Sequence, residues 1–482
     1  MKFFRYAAFA SLIALLIGAM SCTSDGWISL FDGKSLDGWQ PVENPDAWKV
    51  EDGALVCNGE RSHLFYVGEV NEGTFKNFEL VVDVKTEPGS NSGIYFHTEV
   101  QEEGWPNKGY ECQVLNSYPE VEPGEYVERK MTGSIYGIRN VWKAPAPDHE
   151  WFQYHIKVQG RTIQTFINGT LMAEYTESDD STLIKLMQGR RLGSGTFALQ
   201  GHDPGSTVYY KNIKVKPLPD NLPSPGEPLK DAEFDAKLIR LASANFPLLD
   251  LHVHLKGGLS MEQALANART YGFTYGIAVN GGLKMGYETN DALEEFLATY
   301  EQPPHTWLAL QAEGREWLDL FTTETIGKFD YVFTDAMTWT NNSGTRMRLW
   351  IEEETEVGDP EDFMEQLVGA IEQILTEPVE IYVNPTYLPA EITDRYDELW
   401  TPDRMDRVIQ ALLDNNVALE INDRYKIPSD TFIKRAKAAG VKFTFGTNNG
   451  GVGDLGRLEY CIEMVGECGL EPSDMWHPAM KE

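Results

Sequence analysis

Two sets of residues in this 482-residue chain have the types and spacing to do chemistry. One is His252 and His254 in the run Leu249-Asp250-Leu251-His252-Val253-His254. Alternate residues of a β-strand point to one face, so both imidazoles could reach the same divalent metal ion. The apolar run from Phe246 to Leu251 leads into them, and Gly257, Gly258 and a helix start at Ser260 follow. That order puts the pair at the carboxyl end of a strand, where parallel α/β folds build their sites. The other set lies on the run Tyr110 to Leu115, where Glu111, Gln113 and Leu115 share one face and Tyr110, Cys112 and Val114 the other. A core does not ask for a carboxylate beside an amide. Gln200 and His202 repeat the arrangement near another strand end. A carboxylate and an imidazole that titrates near neutrality suit general acid–base work or a divalent metal. Asn91, His97, Tyr136 and Lys211 are the expected hydrogen-bonding neighbours.

These residues must be held by two different architectures. From Trp27 to Pro217 short alternating runs such as Phe78 to Val84, Tyr154 to Val158 and Thr207 to Val215 stand between Gly, Asn, Asp and Pro clusters, which predicts an all-β sandwich. Asn168-Gly169, between Thr162–Ile167 and Thr170–Ala173, predicts a hairpin with a type I′ turn. Residues 218–244 are a proline-rich linker with a short amphipathic helix from about Ala232 to Ala244. Across 245–482 seven apolar strand runs begin near Phe246, Gly276, Trp307, Tyr331, Val379, Val417 and Val441, separated by helical stretches, which predicts a parallel (β/α)7 barrel. Trp339 to Trp350 reads as a hairpin on its fourth βα loop. The chain is therefore multidomain.

A formal charge of −33 argues against nucleic acid or an anionic membrane surface as partner, because each phosphate contact needs a cation. A neutral ligand fits better; the oligosaccharide or glycoside partner comes only from the resemblance given below. Residues 1–22 carry Lys2 and Arg5, an apolar run from Tyr6 to Met20 too short to span, and then Ser21-Cys22. The segment resembles a bacterial lipoprotein signal, which implies export, acylation of Cys22 and membrane anchoring through it, on the periplasmic or cell-surface side. Cys57, Cys112, Cys461 and Cys468 have neither disulfide-scaffold nor zinc spacing and read as buried thiols with one optional bridge.

The segment Trp27-Ile28-Ser29-Leu30-Phe31-Asp32-Gly33-Lys34-Ser35-Leu36-Asp37-Gly38-Trp39 resembles the opening of the 3-keto-disaccharide hydrolase-like family. Asn91 to Phe96, Gly109 to Leu115, Thr132 to Tyr136, Leu199 to His202 and Tyr210 to Ile213 agree with it. The resemblance implies a concanavalin-like jelly roll acting on sugars oxidised at C3. A C3 ketone acidifies the C2 proton, so His202 or Glu111 would remove it and the C1 substituent would leave by elimination, with water addition completing hydrolysis. An ordinary glycosidase would want two opposed acids, and only Glu111 is an obvious one.

The second half, from Phe246 to about Cys468, resembles the polymerase and histidinol phosphatase (PHP) superfamily in strand order and in its opening HxH. Glu313 matches that family's bridging glutamate, and Asp335 stands where a ligand histidine would follow the fourth strand. Asn280, Asn384, Asn448 and Asn449 stand where further ligands would be. The resemblance implies a degenerate barrel in which His252, His254, Glu313 and Asp335 are the remaining metal ligands, enough for one divalent ion of unstated identity. The leading expectation is a hydrolase or lyase of 3-keto-glycosides with Glu111 and His202 catalytic and Asn91, His97, Gln113, Tyr136, Gln200 and Lys211 binding substrate. The alternatives are a carbohydrate-binding lipoprotein without turnover and a mononuclear metal hydrolase in the barrel.

Overall fold

The computed structural model describes residues 26–122 and 125–479. The signal-like segment 1–22, with Cys22, lies outside the described residues.

The first domain is two facing antiparallel sheets. One runs in the order Thr170–Thr176, Thr162–Ile167, Phe152–Gln159, Asn77–Thr86, Thr207–Leu218, Ala54–Asn58, Trp48–Glu51, with Ile28–Ser29 paired onto Thr207–Leu218. The other runs Trp39–Val42, Ser62–Tyr66, Thr196–Gly201, Ser92–Thr98, Tyr110–Val114. Period-two sequence explains the layering: on Asn77–Thr86, Phe78, Leu80, Val82 and Val84 are buried between the sheets while Glu79, Val81, Asp83 and Lys85 are less covered. This sheet-rich fold is the expected jelly-roll sandwich. At the hairpin, Asn168 and Gly169 have φ of 48° and 82°, the positive values a type I′ turn demands. Cys57, Cys112, Cys461 and Cys468 are all buried free thiols, so the optional bridge does not form.

The second domain is a closed barrel of seven parallel strands: Leu249–His254, Thr274–Gly282, Trp307–Ala312, Tyr331–Thr334, Ile381–Tyr382, Ala418–Asn422 and Phe443–Gly446. Closure comes from Leu249–His254, which pairs with both Thr274–Gly282 and Phe443–Gly446. The predicted hairpin on the fourth βα loop is Thr338–Thr340 with Arg346–Arg348. The helix after the HxH strand begins at a Ser260–Gln263 capping box and ends at Tyr271 before Gly272 in the left-handed region, so its bounds are set locally.

The linker is not a free tether. Gln159 donates to the Pro223 carbonyl at 2.8 Å and the Arg161 amide to Ser224 Oγ at 2.8 Å, which lays the proline-rich stretch along the sandwich. The helix Ala232–Ser243 then wedges between two cores, with Ala236 and Ile239 packed into the sandwich and Phe234 and Leu238 into the barrel. A buried ion pair, Arg139 Nη2 to Asp235 Oδ1 at 2.7 Å, fixes it to the sandwich.

Candidate active site

The five-stranded sheet turns its outer face toward a cavity of about 1020 Å³. Glu111 and Gln113 enter it from Tyr110–Val114, Tyr95 and Asn91 from Ser92–Thr98 and the residue before it, and Gln200 and His202 from the end of Thr196–Gly201. Tyr136 reaches in from the loop after Tyr110–Val114. Six sequence-predicted residues are thus brought together: Glu111, His202, Asn91, Gln113, Tyr136 and Gln200. Strand alternation put each pair on one face, and antiparallel pairing of Tyr95 with both Glu111 and Ala198 put the faces side by side.

Glu111 sits at the floor. Gln200 donates to its Oε1 at 3.0 Å and also to the Tyr95 hydroxyl at 3.0 Å. Gly93, paired with Gln113 on the neighbouring strand and so diagonal to Glu111, leaves the space the carboxyl fills, since a Cβ there would overlap Glu111 Oε1. What surface Glu111 exposes is cavity wall rather than bulk water, and burial pushes its carboxyl up to about 7 against the stabilising bonds from Tyr95 and Gln200. The amide oxygens of Gln113 and Gln200 are buried in the pocket wall without a partner, two acceptors open to a donor. Such a wall suits a ligand bearing hydroxyls.

At the other side, His202 Nδ1 meets Asp203 Oδ2 at 2.6 Å and its ring lies 5.1 Å from that of Trp105. Burial raises the Asp203 carboxyl, but the bonds from His202 and Ser206 outweigh it and hold the group below the usual range. The aspartate therefore stays charged and orients the imidazole. Trp105 is 43% exposed and faces the cavity, a flat apolar surface on which a sugar ring can stack.

Sequence reasoning missed the third wall. Glu128 accepts from Lys130 Nζ at 2.8 Å, Tyr136 Oη at 2.8 Å and Tyr126 Oη at 3.0 Å. Burial raises its carboxyl, yet Lys130 and these donors bring it below its ordinary value. The Tyr136 ring lies between the Lys130 ammonium at 4.4 Å and the Arg190 guanidinium at 5.7 Å. One pocket thus holds a carboxyl raised toward neutrality and another held ionised, a separation that assigns different proton roles. Glu128, Lys130, Arg190 and Trp105 come from loops, where no periodicity marks a face; only Asp203, adjacent to His202, carried a signal in the sequence.

Two predicted binding residues lie elsewhere. His97 continues the Asn91, Gly93, Tyr95 alternation on paper, but its φ of 54°, at a register shift against Thr196–Gly201, breaks the alternation within the strand. Its ring turns among Phe78 and Phe96, where Nε2 faces the Lys76 carbonyl at 2.8 Å and Nδ1 accepts from the Gly193 amide. Lys211 belongs to the opposite sheet, with its ammonium 3.8 Å above the Trp151 ring.

At the barrel mouth every strand end contributes a polar group. His252 Nδ1 meets Glu420 Oε1 at 2.6 Å, and His254 Nδ1 faces the Ala278 carbonyl at 3.2 Å. Asn384 donates to Asp335 at 2.8 Å and accepts from Asn422 and Asn448, while Asn280 donates to Gln311 and Glu313. Burial and the Asp335 charge raise Glu313, and burial depresses His254 well below the usual imidazole range. Among the described residues no three of His, Cys, Asp and Glu are grouped to hold one metal ion. The four residues expected as ligands, His252, His254, Glu313 and Asp335, all stand at this mouth, with His252 bonded to Glu420 and Asp335 to Asn384 and the Met337 amide.

Residues 26–216 match the family model of the 3-keto-alpha-glucoside-1,2-lyase-like domain. The similarity extends to a curated relative, the 3-keto-disaccharide hydrolase of Bacteroides thetaiotaomicron, 27% identical over 237 residues that cover 40% of this chain and 79% of the relative. Among solved structures, a candidate glycosyl hydrolase from Parabacteroides distasonis is 26% identical, covers 40% of this chain and 94% of its own, and superposes with a TM-score of 0.35. The carbohydrate-binding module CBM66 of Bacillus subtilis is 12% identical, covers 37% and 95%, and has a TM-score of 0.26.

Proposed function

We propose that the sandwich pocket cleaves the glycosidic bond of 3-keto-glycosides by elimination followed by hydration. The observation that carries the reading is the Glu111 carboxyl, raised to about 7 at the floor of a hydroxyl-accepting cavity. A general base works best when its pKa lies near the working pH, and C2–H beside a ketone is acidic enough for a carboxylate of that strength. Glu111 takes the C2 proton, and the electron pair passes onto the C3 oxygen as an enediolate. Arg190, on the same wall, supplies positive charge to that oxygen. The pair then returns to form the C1–C2 double bond as the C1–O bond breaks, and His202, oriented by Asp203, protonates the departing oxygen. Water adds back with its hydroxyl at C1 and its proton at C2, giving net hydrolysis. The matched domain and the named activity of the Bacteroides relative support the substrate class.

The same proposal takes residues 1–22 as a lipoprotein signal and Cys22 as the acylated anchor of an exported protein. It also relates the barrel to the polymerase and histidinol phosphatase superfamily, on strand order and His252-Val253-His254, with its mouth rebuilt in amides.

Incubation with a panel of 3-keto-glycosides, followed by NMR, tests the chemistry. The expected result is a transient 3-keto-1,2-unsaturated sugar and, in heavy water, deuterium at C2 of the product. Unchanged substrate loss in both Glu111→Ala and His202→Ala would sink the assignment, and no turnover of any panel member would leave the pocket a binding site.

A further inference from the structure

We infer that the barrel serves the sandwich pocket as a buttress: docked by the end opposite its mouth, it holds the loop that carries the pocket's third wall, with Trp142 as the positioning residue. The loop between Tyr110–Val114 and Phe152–Gln159 runs along both domains. On one side it delivers Tyr126, Glu128 and Tyr136 to the cavity. On the other it enters the barrel, where Trp142, 4% exposed, belongs to the barrel's core rather than to the sandwich's. Trp142 Nε1 donates to the Gly272 carbonyl at 3.4 Å and its amide to Thr274 Oγ1 at 3.4 Å. Arg139 Nε donates to the Thr270 carbonyl at 3.0 Å, and Lys143 Nζ to the Thr306 carbonyl at 2.6 Å. Thr274 opens the strand Thr274–Gly282 and Thr306 precedes Trp307–Ala312, so these contacts gather at the amino ends of the barrel strands, away from the polar mouth at their carboxyl ends.

The path from the docked loop to the pocket floor is short. Ser243 Oγ, at the end of the linker helix, donates to the Gly137 carbonyl at 2.8 Å, and Asn140 Nδ2 donates to the Ala242 carbonyl at 3.0 Å. One residue before Gly137, the Tyr136 amide donates to the Glu111 carbonyl at 2.9 Å, while Arg190 Nη1 donates to the Tyr136 carbonyl at 3.1 Å. Gly137 has φ of 70°, and a Cβ there would press on Arg190 Nη1 and Ser243 Oγ, so helix, wall and guanidinium meet without spare room. The end of the chain adds a second hold. The Trp476 amide donates to the Phe443 carbonyl at 2.8 Å at the same end of the barrel, and the next residue, His477, sets its ring 6.1 Å from that of Tyr118 in the cavity wall. A long loop is ordered only by what it packs against, and here the barrel supplies much of that packing. The Glu111 carboxyl is fixed within its own sheet through Gln200, whereas Glu128 and Tyr136 depend on the loop. Loosening the wall therefore weakens substrate binding and spares the chemical step. That consequence rests on the reading of the pocket as the catalytic site; the docking itself does not.

The test uses the full chain and compares wild type, Trp142→Ala, Trp142→Phe, Ser243→Ala and a barrel-core control, Leu367→Ala, on the helix Pro360–Ile374. Hydrogen exchange read by mass spectrometry reports on the wall without any ligand, and kcat and KM on a 3-keto-disaccharide report the consequence. In Trp142→Ala, exchange across residues 127–137 should speed up about tenfold or more and KM should rise about tenfold, with kcat within about twofold of wild type. Ser243→Ala should show the same pattern to a smaller extent. Trp142→Phe, which keeps the packed ring, and Leu367→Ala should match wild type in both readouts. Thermal melts check folding, and if Trp142→Ala melts below the assay temperature, Ser243→Ala decides. Three results overturn the inference: wall exchange unchanged in both docking variants; a wall loosened as much by Leu367→Ala as by Trp142→Ala; or a fall in kcat as large as the rise in KM. Absence of turnover in wild type sinks the elimination reading alone, and wall exchange then decides whether the barrel is the buttress.

Discussion

Replacing Glu111 by Gln keeps the side-chain shape and removes the charge, so it separates what the carboxylate does for catalysis from what its burial costs the fold. Its folded value of about 7 lies about 2.5 units above the ordinary 4.5, which corresponds to at most about 3 kcal/mol of differential interaction. Because the folded value is raised, the native state binds more protons than the unfolded chain between those two values. Wild-type stability therefore is fully present below about 4.5 and falls as pH rises through about 7. Glu111→Gln lacks this term. Its melting temperature relative to wild type should climb across that window and level off above it, by roughly 6 °C or more at about 2–4 °C per kcal/mol. Activity should move the opposite way: wild-type kcat/KM rises with pH to a plateau above about 7, and the variant loses about 10²- to 10⁴-fold. Melting curves and pH–rate profiles on a 3-keto-disaccharide make the check. A stability difference that does not vary with pH, or an acid limb that survives in the variant, would refute the reasoning.

Three further outcomes follow from particular contacts. Asn245, just after the linker helix, accepts from the Arg129 amide and donates to the Val127 carbonyl, pinning the loop that carries Glu128; Asn245→Ala should raise KM in steady-state assays without touching substrate and cost about 1–3 kcal/mol in denaturant titration. Arg139→Met leaves Asp235 charged and unpaired at 1% side-chain exposure and should destabilise the chain by about 3–5 kcal/mol, read by calorimetry. Trp105→Ala removes the stacking surface beside His202 and should raise KM more than it lowers kcat, whereas Lys211→Ala, on the opposite sheet over Trp151, should leave both unchanged.

The sandwich, the barrel and the shared face of Glu111 with Gln113 were legible because period-two and alternating strand–helix patterns are properties of consecutive residues. So was the turn at Asn168-Gly169, whose backbone angles its residue types require. Local pattern failed at His97, because a single positive φ turns the ring into the core where alternation sends it to the pocket. It failed at Lys211 as well, since the sheet a strand joins depends on long-range pairing. The HxH strand end was read in its right place, but whether its imidazoles meet other ligands depended on residues some 170 to 200 positions away, where Glu420 and the amides of Asn422 and Asn448 stand. By itself the sequence determined which strands exist and which side chains share a face on each. Only the tertiary structure decided which faces meet and what surrounds them. Glu128 beside Tyr136, Gly93 under Glu111 and the burial that raises that carboxyl all arise from contacts between distant segments, and burial is a property of the assembled walls rather than of any one strand.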